Sequence, residues 1–168
     1  PVLLPASFGA GILSFDSVYS FLRCFRVRIL FVCTANSARS QMAEGLARAL
    51  AAPGVEVSSA GTHPAGVNPL AIAVMRDRGI DISAHRSKRV EDVPGPFDYV
   101  ITLCDDAAQN CPFVPARRER LHWGLPDPAA AATGDDAARL ASFRAVRDEI
   151  ERRLRPWLAS LQLLGDRP

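Results

Sequence analysis

The chain has 168 residues, 48% of them hydrophobic, and a formal net charge of +2 at neutral pH. That length suits one domain with a substantial core. So small a charge, with basic residues scattered among acidic ones, argues against a nucleic-acid or acidic-membrane partner. No apolar stretch reaches the ~18 residues of a membrane span.

Residues 1–25 mix Phe, Leu, Ser and Gly with Pro1 and Pro5 and carry no basic stretch ahead of an apolar one, so a secretory signal is not expected. They read as an extension outside the core, with a single domain over residues 26–164. Residues 26–32 predict a first strand, whose run Ile29-Leu30-Phe31-Val32 suits a parallel strand buried on both faces. Residues 41–52 predict a helix with Met42, Leu46, Ala49 and Leu50 on one face, ended by Pro53-Gly54. A second strand follows over 55–60. Asn68 then caps a helix with Pro69 at its first position, an apolar face of Ile72, Val74 and Met75, and Gly79 just past its end. Residues 97–103 predict a third strand and 120–124 a fourth. A long helix runs from about Asp135, with Phe143, Val146, Ile150, Leu154, Leu158 and Leu161 at spacings of three or four, and Pro156 is expected to kink or split it. The alternation of strand and helix implies an α/β fold, a four-stranded parallel sheet with helices on both faces. Ligands of such sheets bind beyond the C-terminal strand ends, where Cys33 and Cys104 both fall.

Four cysteines (Cys24, Cys33, Cys104 and Cys111) in a chain with an apolar core point to redox or catalytic use in a reducing cytoplasm rather than to structural disulfides. Cys24, in the extension, is incidental. Cys33-Thr34-Ala35-Asn36-Ser37-Ala38-Arg39-Ser40 joins the first strand to the first helix. A short loop entering a helix N-terminus turns N–H groups and the positive end of the helix dipole toward an anion. Arg39 adds a bidentate fork, and a cysteine in that field is expected as a thiolate. The loop has no glycine, which leaves Asn36 as the residue best able to take a left-handed conformation. Ser37 and Ser40 offer hydroxyls to hold the loop and the sulfur. Asp127, in Leu125-Pro126-Asp127-Pro128, is the candidate general acid. His122 and Trp123 read as packing, and His63 and His85 have no metal-ligand spacing. Cys104 and Cys111 are seven residues apart and suit neither a CxxC pair nor zinc. On a helix their Cα atoms would lie ~10.5 Å apart, beyond the ~7 Å a disulfide tolerates. Bonding them would require the segment to rearrange, and on spacing alone they are equally well unrelated thiols.

The Cys33–Ser40 loop and Asp127-Pro128 resemble low-molecular-weight protein tyrosine phosphatases. The narrower resemblance is to the thioredoxin-coupled bacterial arsenate reductases that share that fold. It is carried by the segment from Thr34 to Gly45, Ser59-Ala60-Gly61, Gly66-Val67-Asn68-Pro69, Asp81-Ile82-Ser83, Val100-Ile101-Thr102-Leu103-Cys104, Asn110-Cys111-Pro112, His122-Trp123-Gly124 and the run from Phe143 to Ile150. The resemblance implies arsenate held by Thr34, Ala35, Asn36, Ser37, Ala38, Arg39 and Ser40, attack by Cys33, protonation of the leaving oxygen by Asp127, and a disulfide relay through Cys33, Cys104 and Cys111. It further implies reduction by thioredoxin or glutaredoxin, no metal or organic cofactor, a monomer, and some residual phosphatase activity. Family loops often carry Gly at Ala35 and a further Cys at Ala38. Some relatives hold potassium beside the loop through Asn, Glu and Asp; Asn36 and Glu44 match, but Lys88 stands at the Asp position, so no potassium dependence is expected. Ala129 replaces the Tyr that phosphatases place after Asp-Pro, which weakens the case for an aryl phosphate.

Overall fold

A computed structural model describes residues 26–104, 113–130 and 135–165. The expectations for residues 1–25, with Cys24, and for Cys111 lie outside the described residues. Four strands, β1 (Val27–Cys33), β2 (Val55–Gly61), β3 (Phe97–Cys104) and β4 (Ala116–Leu125), form one parallel sheet in the order β2-β1-β3-β4. The α-helices are α1 (Arg39–Leu50), α2 (Pro69–Arg76) and α3 (Asp136–Ser160).

β1 is central, paired with β2 from Val27↔Val55 to Cys33↔Gly61 and with β3 from Ile29↔Tyr99 to Val32↔Thr102. Its two faces are therefore both buried, as the unbroken apolar run requires. Ile29 and Phe31 join Met42 and Leu46 of α1, Val74 and Met75 of α2, and Phe143, Ile150 and Leu154 of α3 in the larger core cluster. Leu30 and Val32 face the other way, against Phe97, Val100 and Val114, with Val90 and Val93 beside them. Among the described residues, the three α-helices thus share one side of the sheet. A 3-10 turn, Val90–Asp92, lies on the other side among the described residues.

Several boundaries differ from those the sequence predicts. α1 starts at Arg39, two residues before the expected 41, because the loop runs into the helix through Ala38 with no side-chain cap to mark the start. β4 extends over Ala116–Leu125 rather than 120–124. Its first half is the charged, exposed run Arg117-Arg118-Glu119-Arg120, which has no apolar signature because it is an edge strand facing water. α3 passes through Pro156 without splitting. The proline is exposed, so the carbonyl left without an N–H partner is on the solvent side, where water satisfies it.

Two contacts tie the helices together. A Cβ at Gly45 would stand 2.7 Å from Ile82 Cγ2 and 2.9 Å from Met75 Cε, so the absence of a side chain there sets how closely α1 approaches α2. Arg147 of α3, 5% exposed, donates to the Val74 carbonyl at 2.6 Å and pairs with Asp77 and Asp148. It thereby fills one of the orphan carbonyls in the last turn of α2, where a cation is favoured. Among the described residues no helix is long and apolar enough to cross a membrane.

Candidate active site

The loop between β1 and α1 is shaped from outside. The carbonyls of Thr34, Ala35 and Ser37 accept from the backbone N–H groups of His63 (2.9 Å), Ala65 (3.0 Å) and Asn68 (2.9 Å). The Asn36 carbonyl accepts from Ser87 Oγ at 2.5 Å and Gln41 Nε2 at 3.1 Å. In a planar trans peptide the following N–H points opposite to the carbonyl, so these bonds turn successive N–H groups inward. They converge with the uncapped first turn of α1, where a helix favours an anion.

Asn36 takes the left-handed conformation expected of it, with φ 43°. Its side chain is fully buried and lies under the loop, not in the pocket. Nδ2 donates to Ser40 Oγ and to Ser59 Oγ, both at 2.8 Å, while Oδ1 accepts from Lys88 N at 2.8 Å and Gln41 Nε2 at 3.0 Å. Because Ser40 accepts from Asn36, its own proton is available to Cys33 Sγ, 2.9 Å away. Ser59 Oγ donates a hydrogen bond to the buried carboxylate of Glu44, which also meets Arg48 at 2.5 Å and Lys88 Nζ at 3.5 Å. Gly61 closes the floor: a Cβ there would lie 2.6 Å from the Thr34 carbonyl oxygen and 2.7 Å from Asn36 N. His85 braces Gln41 from behind, with Nδ1 3.0 Å from Oε1, and burial holds this imidazole below its ordinary pKa.

Arg39 is aimed by β4. Its guanidinium donates to the Leu125 carbonyl at 3.0 Å and lies 3.5 Å from Asp127 Oδ2. Asp127 is fixed through Oδ1, which accepts from Ala129 N at 3.1 Å. Cys33, Arg39 and Asp127 line a pocket of about 80 Å³ together with Ala35, Ser37, Ala38 and Ala129. Pockets for drug-sized ligands run to ~300 Å³ and above, so this one suits a small oxyanion, and its alanines offer no ring to hold an aryl group.

Cys104, at the end of β3, is a second buried free thiol in the same core cluster as Cys33. Its Sγ lies 3.3 Å from Thr34 Oγ1, on the residue that follows Cys33. Burial pushes the Cys104 thiol up, with the Thr34 hydroxyl acting in the opposite sense. His122, exposed, makes a ring-to-hydroxyl contact with Thr102 at 2.9 Å rather than packing in the core, whereas Trp123 packs against Phe31 and Trp157. Nothing in the local sequence marks Gln41, Ser59, Gly61, His85 or Ser87 as supports of the loop. The segment Ser59-Ala60-Gly61 carried part of the signal, as one of the stretches bearing the resemblance.

The site defines a cysteine-based oxyanion enzyme on a phosphatase-type sheet, and the chain belongs to the low-molecular-weight phosphotyrosine protein phosphatase family, whose profile matches residues 28–164. Within it the chain is similar to the arsenate reductases of Halalkalibacterium halodurans and Bacillus subtilis, each 46% identical over 128 residues that span 76% of this chain and 91% of theirs. A solved arsenate reductase in its phosphate-binding state superposes with a TM-score of 0.68 at 37% identity, covering 80% of this chain and 98% of that one. The thioredoxin-dependent arsenate reductase of Corynebacterium glutamicum gives 0.64 at 31% identity, covering 86% and 66%.

Proposed function

We propose that this chain is an arsenate reductase that works through a cysteine–arsenic adduct and a three-thiol relay recycled by thioredoxin. The observation that carries the reading is Cys104, a second thiol at the neighbouring strand end, 3.3 Å from Thr34 of the oxyanion loop. Hydrolysis of a phosphate ester needs the first cysteine alone. Similarity to proteins named arsenate reductase over most of their length supports the same reading.

In the first step the loop N–H groups and Arg39 hold arsenate, the Cys33 thiolate bonds to arsenic, and one oxygen leaves as water with a proton supplied through Asp127. Cys104 then attacks Cys33 Sγ. A sulfur–sulfur bond forms, the sulfur–arsenic electron pair passes to arsenic, and arsenite departs. Cys111 next attacks Cys104, releasing Cys33 as thiolate and leaving a Cys104–Cys111 disulfide. Thioredoxin supplies two thiols to reduce it and is itself oxidised. No metal or organic cofactor enters this chemistry, the setting is the cytoplasm, and the chain acts as a monomer. The direct test is thiol titration after mixing the reduced protein with arsenate and no reductant. Loss of two thiols per chain with release of one arsenite supports the relay; hydrolysis of an aryl phosphate with no arsenate-dependent thiol loss would make the chain a phosphatase.

Two further predictions follow from charge. Because burial raises the Cys104 pKa, the attacking thiolate is a minor form at neutral pH. Its fraction grows about tenfold per pH unit until the raised pKa is reached. Single-turnover arsenite release is therefore expected to rise with pH beyond ~8.5, the ordinary thiol value. A rate that levels off near pH 7.5 would contradict this. The second concerns potassium. The carboxylate of Glu44 already faces the Lys88 ammonium, which also donates to the Arg86 carbonyl at 3.2 Å. These residues do not fit a potassium ion, since a tethered cation stands at the third ligand's position. Arsenate turnover in potassium and sodium chloride at equal ionic strength is expected to agree within about twofold, because the two salts then differ only in general screening, which is the same for both; stimulation by potassium alone would refute the assignment.

A further inference from the structure

The second core cluster lies on the side of the sheet away from the three α-helices and is built on Leu30, Val32, Phe97, Val100 and Val114. An apolar groove of about 330 Å³ opens beside it, lined by Val90, Val93, Pro96, Phe97, Val114 and Ala116, with Arg117 at the rim. That volume is at the low end of the range for drug-sized ligands and leaves room for one or two aromatic side chains. The wall formed by residues 90–96 continues the segment whose Ser87 and Lys88 hold Asn36 beneath the oxyanion loop.

The groove lies at the end of the sheet where β1 begins. The parallel register Ile29↔Tyr99 sets Val27 level with Phe97. Arg28 runs along the groove's wall: its guanidinium donates to the carbonyls of Pro94 at 2.7 Å and Pro96 at 3.1 Å and sits 5.2 Å from the Phe97 ring centroid. Phe25 is three residues ahead of Arg28, so its Cα stays within ~11 Å of the Arg28 Cα, and that of Phe21 within ~25 Å. Residues 1–25 hold four of the chain's eight phenylalanines, with Asp16 and Arg23 as their charged side chains. So apolar a stretch gains by burial and has little charge to desolvate. The family profile begins at residue 28, so this stretch is a feature of the chain outside that match. A second copy of the chain suits the groove less well. Docked about a two-fold axis, it would bring exposed Arg117 and Arg120 up to their own equivalents, a like-charge juxtaposition.

We propose that the stretch leading into β1, through Phe21, Leu22 and Phe25, docks in this groove of its own chain and completes the cover of the second core cluster. The tether to β1 makes the contact intramolecular, with an effective concentration in the millimolar range, so the burial of one or two rings is enough to hold it. Docking steadies the wall at residues 90–96, and through it the contacts of Ser87 and Lys88 under the oxyanion loop. The proposal holds whichever oxyanion the site takes, and its test does not use the reaction.

The test puts photoreactive benzoylphenylalanine in place of Phe25 in the full chain and maps the crosslinks by mass spectrometry. The expected product joins position 25 to residues 90–97 or 114–117 of the same chain, in a yield that does not change on dilution. Val93→Arg and Ala116→Arg, at half-buried positions on the two walls, should each cut that yield at least ~fivefold, because an unpaired charge in an apolar groove keeps the rings out. A second measurement leaves the groove untouched. The Asp92 and Val93 amides donate to the Arg89 and Val90 carbonyls at 3.2 and 3.3 Å, so their hydrogen exchange reports how well this short turn is covered. In the double variant Phe21→Ser, Phe25→Ser their exchange should speed up about tenfold. Crosslinks absent from the groove, yields unchanged in both wall variants, or exchange within about twofold of wild type would each overturn the proposal. A product between two chains whose yield rises with concentration would also overturn it, by making the groove a seat for another copy.

Discussion

Replacing Cys104 with serine is expected to lower thioredoxin-coupled arsenate turnover by a factor of ~10³ or more, because a hydroxyl cannot take over as the sulfur nucleophile that breaks the arsenic adduct. The pocket itself should survive the change. Cys104 contributes no atom to its lining, and its one polar contact in the loop is with the Thr34 hydroxyl, which a serine hydroxyl also satisfies. Residual hydrolysis of an aryl phosphate, which needs Cys33, Arg39 and Asp127 but no second thiol, should stay within about twofold of wild type. The split between the two activities is the diagnostic result. Equal loss of both would mean that Cys104 supports the loop; retention of both would remove it from the chemistry. Measuring arsenite release and aryl phosphate hydrolysis on the same preparation separates these cases.

The second large effect is expected at Asn36. Both amide protons and both carbonyl lone pairs of this side chain are engaged, to Ser40, Ser59, Lys88 N and Gln41. Asn36→Ala leaves several of these partners buried without bonds, at ~1–3 kcal/mol for each one that stays unsatisfied. It also puts a less tolerant residue at φ 43°, a further ~1 kcal/mol. A stability loss of ~3 kcal/mol or more is expected in denaturant titrations. Activity should fall further than stability does, because Ser40 loses the bond that directs its proton to Cys33. Asn36→Gly isolates the two parts: the backbone is relieved, the hydrogen bonds are still lost, and activity should remain low. Full activity in Asn36→Gly would show that only the backbone conformation matters.

Most of the fold is legible in the residues. The run Ile29-Leu30-Phe31-Val32 declares a strand buried on both faces, and the spacing from Phe143 to Leu158 declares the long helix. Asn68-Pro69 marks the start of α2 to the residue, and Asn68 Oδ1 does accept from Leu70 N at 2.9 Å. What escapes the sequence does so for physical reasons. The first half of β4 is held by backbone pairing with β3 at an edge, where Arg117 to Arg120 carry side chains chosen for water. The continuity of α3 through Pro156 depends on which face the proline occupies, which a local rule about proline does not contain.

The site divides in the same way. Cys33, Arg39 and Asp127 are legible because their chemistry is tied to residue type and to a strand–loop–helix context, and the structure brings them to one pocket. Lys88 beside Glu44 is legible only through the resemblance, since the two are far apart in the chain and meet through the fold. The braces under the loop are not legible at all from local pattern. Gln41, Ser59, Ser87 and His85 are ordinary polar residues until tertiary structure sets them around the Asn36 side chain. Gly61 is a routine strand end until the Thr34 carbonyl is found where its Cβ would be.

The central claim is that a relay of thiols, not hydrolysis, regenerates Cys33. NADPH oxidation by wild type and Cys111→Ser, with arsenate, thioredoxin and thioredoxin reductase, tests it most directly. The account predicts one NADPH consumed per arsenate reduced by the wild type, and consumption that stops within a single turnover in the variant. Arsenate-independent NADPH traces, together with aryl phosphate hydrolysis indifferent to the loss of Cys111, would contradict it and leave the chain a phosphatase.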